Sequence, residues 1–477
     1  MAAISASEYA EHDAIALAGL VRAGDATPAE LLESAIARAE ERADLNAIAH
    51  LMPMDEVMLA TDRQAALSGV PFLLKDISVQ VAGMALTMGS ELLSGNVCVA
   101  DDTLTQRFRA AGLSLFGRTV MAELGMRVVT DPCKFGPTVN PWNPGRNAGG
   151  SSGGAAAAVA AGIVPVAHAT DAFGSIRVPA AHCGVFGLKP SRLRVPGGPG
   201  IGEALAGLGN PHCVSFSVRD SAALLDAVQG ADIGDAYASP PAAANVAALE
   251  RPPRRVRIAC WTGAPDRTPV ASANVLAVEE MAEHLASLGH HVEQAELIYD
   301  GSALSDAIRV LAGTTSAMMA KRRMQALGAT SLDGLLEPAS IDWIERAEAF
   351  TAADFQSALH GIHQIGRAVG SFFQAYDAYL TPVTAERPMA LSPPRPSDLA
   401  GLLAQNAAHA PFTAVYNAGG CPAMSVPSGF DAQGLPLAVQ IGAAFGKEAR
   451  LFSLAAEIER TKPWRRAPLH MLQTFTA

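Results

Sequence analysis

The stretch from Gly149 to Pro190 constrains this chain more than any other. It begins Gly-Gly-Ser-Ser-Gly-Gly, continues as AAAAVAAG, and runs on through IVPVAHATDAFGSIRVPAAHCGVFGLKP. The alanine run is a strong helix former with no polar face, so the helix it makes must be buried. Ile163 to His168 then reads as a buried strand ending in the turn Thr170-Asp171-Ala172-Phe173-Gly174-Ser175. Two serines, Ser151 and Ser175, stand 24 positions apart, each in a glycine-containing setting. Glycine lets backbone N–H groups come close to a ligand. A serine among such donors is where an acyl-transfer enzyme would hold a nucleophile and its oxyanion donors.

The rest of the chain supplies alternating helices and short strands. Residues 7–50 read as helical, with a capping box at Thr27-Pro28-Ala29-Glu30. Val70-Pro71-Phe72-Leu73-Leu74 reads as a buried strand with Lys75 directly at its end. Lysine is seldom buried without a role, although a lysine reaching solvent as the strand leaves the core is the simpler alternative. A helix and strand follow over 102–118, and 119–146 reads as loop. Within that loop Asn140-Pro141-Trp142-Asn143-Pro144-Gly145 is too dense in turn formers for a regular element. Residues 192–212 read as irregular and 230–253 as a surface connection. Strands are expected at 255–260, 377–383 and 437–442, and helices at 218–228, 273–288 and 447–459. Residues 303–375 read as a helical layer or cap without a motif.

With 477 residues the chain admits three average domains or one large α/β domain, and 49% hydrophobic residues exclude a disordered chain. A net charge of −11 disfavours nucleic acid or anionic membrane as the main partner. The six cysteines are scattered, which suits buried free thiols in a reducing compartment. The N-terminus lacks the basic start and apolar middle of a signal peptide, and the run Ala155–Ala169 is too short for a membrane span. A soluble cytoplasmic protein is the expectation.

Several motif readings fail. Gly149-Gly150-Ser151-Ser152-Gly153 matches the G-x-S-x-G nucleophile elbow in letters, but that motif needs a strand before it and N-P-W-N-P-G-R-N-A does not read as one. No Gly-Lys-Ser/Thr follows to make a phosphate loop, and Gly200 and Gly202 lack the third glycine of a dinucleotide fingerprint. The twelve histidines form no metal-binding pattern, so no metal and no cofactor is expected. His168 and His182 flank Ser175, but His168 lies inside the apolar strand and has no evident acid to orient it.

Taken together, G-G-S-S-G-G, the step of 24 between serines, T-D-x-x-G-S-I-R-x-P-A and C-G-x-x-G-L-K-P strongly resemble the defining segment of the amidase signature family. The likeness extends to P-F-L-L-K-D upstream and to C-P-A-M-S-V-P and the Q-I-G strand downstream, and so covers nearly the whole chain. Some details look most like the family's nylon-oligomer hydrolases, and the chain is also similar to its urethane-cleaving members. The resemblance implies one domain over residues 1–477, built on a large twisted mixed β-sheet flanked by helices on both faces. The core segment would be 65–230, with a variable helical cap over about 303–375.

The resemblance also implies a triad in which Ser175 is the nucleophile, Ser151 follows a cis peptide bond and passes protons, and Lys75 is the base. Burial in an apolar pocket lowers a lysine pKa and leaves a neutral amine fit for that task. Backbone N–H groups of Ala172, Phe173, Gly174 and Ser175 would hold the oxyanion, and Ser152, Asp171 and Arg177 would form a supporting network. Many members have glycine where this chain has Phe173; its ring would either line the acyl pocket or pack inward. Met126, Val128 and Thr130 are further pocket candidates.

The implied activity is hydrolysis of small amides, lactams, oligoamides or carbamates by a monomer or homodimer. Two other functions are compatible with the fold: the glutamine-hydrolysing subunit of a tRNA-dependent amidotransferase, and a non-catalytic binding protein.

Overall fold

In the computed structural model, the described residues are 4–467 apart from 199, 201, 236, 241–243 and 252. Thirteen strands occur among them: β1 (Ile48–Leu51), β2 (Pro71–Lys75), β3 (Ser114–Thr119), β4 (Val139–Asn140), β5 (Asn143–Asn147), β6 (Val166–Asp171), β7 (Phe186–Lys189), β8 (Asn210–Ser215), β9 (Arg257–Cys260), β10 (His291–Gln294), β11 (Ala378–Pro382), β12 (Ala423–Phe430) and β13 (Pro436–Gly442). Eleven of them form one sheet in the order β1-β3-β2-β6-β8-β7-β12-β13-β11-β9-β10. The sheet is mixed. β3, β2 and β6 run parallel to one another, as do β11, β9 and β10, while the strands between β6 and β11 alternate in direction. The expected α/β architecture is therefore present.

Local chemistry accounts for several elements. Helix Pro28–Glu41 opens on the predicted capping box, with Thr27 and Glu30 exchanging side-chain-to-backbone bonds and proline in the first turn. All eight residues of helix Gly153–Ala160 are buried, as a helix without a polar face requires. β2 is buried at every position, so its last residue, Lys75, ends inside the molecule rather than in water.

Three stretches differ from the sequence expectation, and a fourth, residues 177–183, has no element assigned to it there. Residues 48–51, taken into an N-terminal helical region, form strand β1 on the sheet edge. The proline-rich stretch before Gly149 is not a plain loop: β4 and β5 pair as a small antiparallel ribbon. A strand does therefore precede the Gly-Gly-Ser-Ser-Gly run, but it belongs to this ribbon and not to the main sheet. Residues 177–183 form a helix despite Pro179, which falls in its first turn, where a missing N–H costs nothing. The end of the glycine-rich 192–212 stretch is strand β8, paired with β6 along its whole length.

The surface connection over 230–253 contains a short helix, Asn245–Leu249, and residues 236, 241–243 and 252 of it lie outside the described residues. Among the described residues the cysteines are free thiols; five are buried, but Cys133 is exposed. No helix among them is long and apolar enough to cross a membrane.

Candidate active site

The sheet brings Lys75 and the Ser175 turn together. β2 and β6 are neighbouring parallel strands, so Lys75, at the end of β2, and the turn that follows β6 emerge at the same sheet edge. Lys75 is 1% exposed. Its Nζ donates to Ser151 Oγ at 2.8 Å, to Thr170 Oγ1 at 3.0 Å and to the Thr170 carbonyl at 3.4 Å. Burial strips hydration from the ammonium and draws the Lys75 pKa down to about 7, against partial opposition from the negative charge of Asp171. His168 takes part only in holding the strand end: it is buried, and its Nδ1 accepts the Lys75 backbone N–H at 3.3 Å.

Ser151 reaches Lys75 because of the backbone around it. The Gly150–Ser151 peptide bond is cis. A Cβ at Gly150 would stand 2.6 Å from the Arg127 carbonyl oxygen and 2.7 Å from the Val129 nitrogen, so only glycine fits there. Thr130 Oγ1 donates to the Gly149 carbonyl at 2.7 Å and accepts the Gly153 N–H at 3.1 Å. Asn147 Oδ1 accepts the N–H groups of both Thr130 and Gly149. Thr130 was expected to line a substrate pocket; it instead lies fully buried beneath the Gly149–Gly153 loop and ties it down.

The second serine sits in a turn organised by Asp171. This carboxylate accepts the Gly174 N–H at 2.8 Å and the Ile176 N–H at 3.2 Å. It is also gripped in a two-point pair by Arg177, Nε to Oδ2 and Nη2 to Oδ1, both at 2.9 Å. Both side chains are fully buried, which rules out an exposed ion pair. The remaining Arg177 donors go to the Thr413 carbonyl, Gln440 Oε1 and Asn417 Oδ1. Burial alone would raise the Asp171 pKa, but the charge and hydrogen bonds of Arg177, with Lys189 and Asn417, hold it well below the usual carboxylate range. Ser152 stands apart from this pair: its hydroxyl contacts the Thr170 carbonyl at 3.4 Å.

The donors expected for an oxyanion separate into two groups. The Gly174 N–H is committed to Asp171 and is not aimed at the cavity, so it is withdrawn from that set. The N–H groups of Ala172, Phe173 and Ser175 have no hydrogen-bond acceptor among the described residues. Gly174 has a different task. It adopts φ +133°, and a Cβ there would stand 2.6 Å from Thr413 Oγ1, so the turn closes only with glycine.

Lys75, Ser151, Ser175 and the residues from Ala172 to Gly174 line one cavity of about 1670 Å³, together with Met126 and Val128. Phe173 lines this cavity and is half-buried. Asn406 was not foreseen. Its side chain accepts the Val128 N–H at 3.1 Å and donates to the Met126 carbonyl at 2.7 Å, fixing the cavity wall. Thr170, Thr413, Asn417 and Gln440 were missed too. Of these Thr170 and Gln440 carried a sequence signal, in the T-D and Q-I-G motifs, though no role was read for either.

The amidase family model matches residues 30–452. A curated 6-aminohexanoate-cyclic-dimer hydrolase of a Pseudomonas strain is 36% identical over 474 residues, which covers 95% of each chain. A solved 6-aminohexanoate cyclic dimer hydrolase complexed with its substrate superposes with a TM-score of 0.89 at 32% identity, covering 96% of this chain and 99% of the other. A bacterial aryl acylamidase superposes at 0.82 with 28% identity, covering 96% of both chains.

Proposed function

The chain belongs to the amidase family, and from that premise we propose that it hydrolyses amide C–N bonds through an acyl-enzyme on Ser175. The observation that carries this reading is a buried lysine at about neutral pKa, bonded to the Ser151 hydroxyl in a cavity that also holds Ser175. A neutral Lys75 accepts the Ser151 proton while Ser151 takes that of Ser175, and the freed Ser175 oxygen attacks the substrate carbonyl. The developing oxyanion meets the N–H groups of Ala172, Phe173 and Ser175. The relay then runs backward, giving the proton to the departing amine as the C–N bond breaks. Water, deprotonated by the same route, releases the acid.

Asp171 and Arg177 position the Ser175 turn and touch no substrate. Small amides, oligoamides and carbamates all present the carbonyl carbon this sequence needs. The aminohexanoate substrate of the relatives supports the amide classes.

A fluorophosphonate that labels serine nucleophiles tests the reading. The expected result is one adduct per chain, on the peptide carrying Ser175, and none in Ser175→Ala. A folded wild-type protein that takes no label, or an adduct on another serine, would overturn it.

A further inference from the structure

The cavity is longer than one amide needs. Helix Gly301–Leu327 borders it along the helix's length, with Gly301, Ile308, Ala312, Thr315, Met319 and Ala326 among the lining residues at steps of three, four or seven. At a rise of roughly 1.5 Å per residue, that stripe makes a groove about 38 Å long.

The groove has two arms, told apart by their walls: Leu304, Phe355 and Leu359 of one apolar cluster line the first, and Leu124, Met126 and Met319 of another line the second. Phe173, Leu205 and Ile308 pack at the margin of two separate apolar clusters, one formed with helix Ala352–Ala375 and the other with Leu92, Met126 and Trp343. These three side chains therefore stand where the arms meet, and Phe173 is two residues from Ser175. Both arms reach solvent. At one end Ser302 and Asp266 are exposed. At the other Val97, Val99 and Met318 are 52%, 94% and 52% exposed, an apolar rim on the cavity mouth.

We infer that the groove holds an extended chain with repeated amide or carbamate units, and that hydrolysis falls on a bond inside that chain. This rests on the hydrolase reading above. With the nucleophile beside the junction and open space on both sides, the acyl fragment occupies one arm as its ester with Ser175. The amine fragment leaves along the other arm, and water then releases the acid. The mostly apolar walls suit aliphatic or aromatic spacers between the polar units. A site built only to trim chain ends would close one arm.

The test uses linear oligoamides of an ω-amino acid, capped at both ends, from dimer to octamer, beside a small chromogenic anilide. The expected early products are internal fragments, with kcat/KM rising as the chain lengthens. Ser305→Trp and Thr315→Trp, each placed in one arm, should lower the ratio of octamer to anilide kcat/KM by about tenfold to a hundredfold. Anilide turnover combined with no length dependence, or with release of terminal units only, overturns this inference and leaves the hydrolase reading intact. Failure to turn over or be acylated by any of these substrates overturns both.

Discussion

Lys75 Nζ lies 2.8 Å from the Ser151 hydroxyl, with no solvent-exposed surface on either partner beyond 1%. In the proposed relay this amine is the base, so acylation should rise with pH through about 7 and level off above it. Pre-steady-state labelling across the pH range reads this directly. Lys75→Ala should remove the rising limb and slow acylation by about 10²–10⁴-fold. A limb that survives in that variant would assign the titration to another group. Lys189, which burial also draws down to about 7, is the first to examine.

Ser151→Ala and Ser175→Ala should behave differently. Without Ser175 no acyl-enzyme forms, so labelling falls to zero. On the proposed roles, removing Ser151 leaves the nucleophile and breaks only its proton path, so slow labelling should persist, reduced by about 10²–10⁴-fold. Equal and complete loss in two folded variants would remove the distinction between the roles.

Arg177→Leu leaves the Asp171 carboxylate buried beside an apolar side chain. Breaking a buried pair from one side costs about 3–5 kcal/mol, so the urea midpoint should fall accordingly. A change below about 1 kcal/mol would mean that Asn417 and the turn N–H groups hold the carboxylate unaided.

Gly174→Ala forces a Cβ against Thr413 at a φ that disfavours every other residue. A cost of about 1–3 kcal/mol is expected, together with loss of labelling, because the displaced turn carries Ser175. A variant of normal stability and activity would show that the turn can reclose.

Phe173→Gly should shift the ranking of substrates more than it shifts stability, since the residue is half-buried on the cavity wall. A panel of an anilide, a carbamate, a cyclic lactam and an oligoamide gives the ranking. An unaltered ranking would separate the ring from substrate selection.

Much of the site was legible because its parts are local signals. An apolar run ending in lysine marks β2, although a lysine reaching solvent is the simpler reading of its end, and the two glycine-set serines lie in one uninterrupted motif. What escaped depends on partners far along the chain. Thr130 serves the Gly149–Gly153 loop, Asn417 and Gln440 serve Arg177 from 240 and 263 positions away, and no periodicity announces such contacts. The resemblance makes Gly174 an oxyanion donor; the motif contains Asp171 as well, but not the turn geometry that aims its carboxylate at the Gly174 N–H. Several of the missed elements, though not β1, share a cause as well. β4, β5, β8 and helix Arg177–Cys183 contain or adjoin proline, which reads locally as a break yet is tolerated in a first helical turn and at sheet margins.

The parallel pairing of β2 with β6 has a consequence for how such a protein changes. Lys75 and the Ser175 turn, the proposed base and nucleophile turn, hang from adjacent strands about 4.8 Å apart, and are drawn from residues 75–177. The long wall of the groove comes from 301–326, after the chain has left that part of the sheet. Apart from Phe173, Met126 and Val128, which line the cavity from the earlier length, the proposed reaction centre and the long wall are thus written in separate lengths of the polypeptide. Exchange or lengthening of the later segment can retune what is cut without disturbing the atoms that cut it.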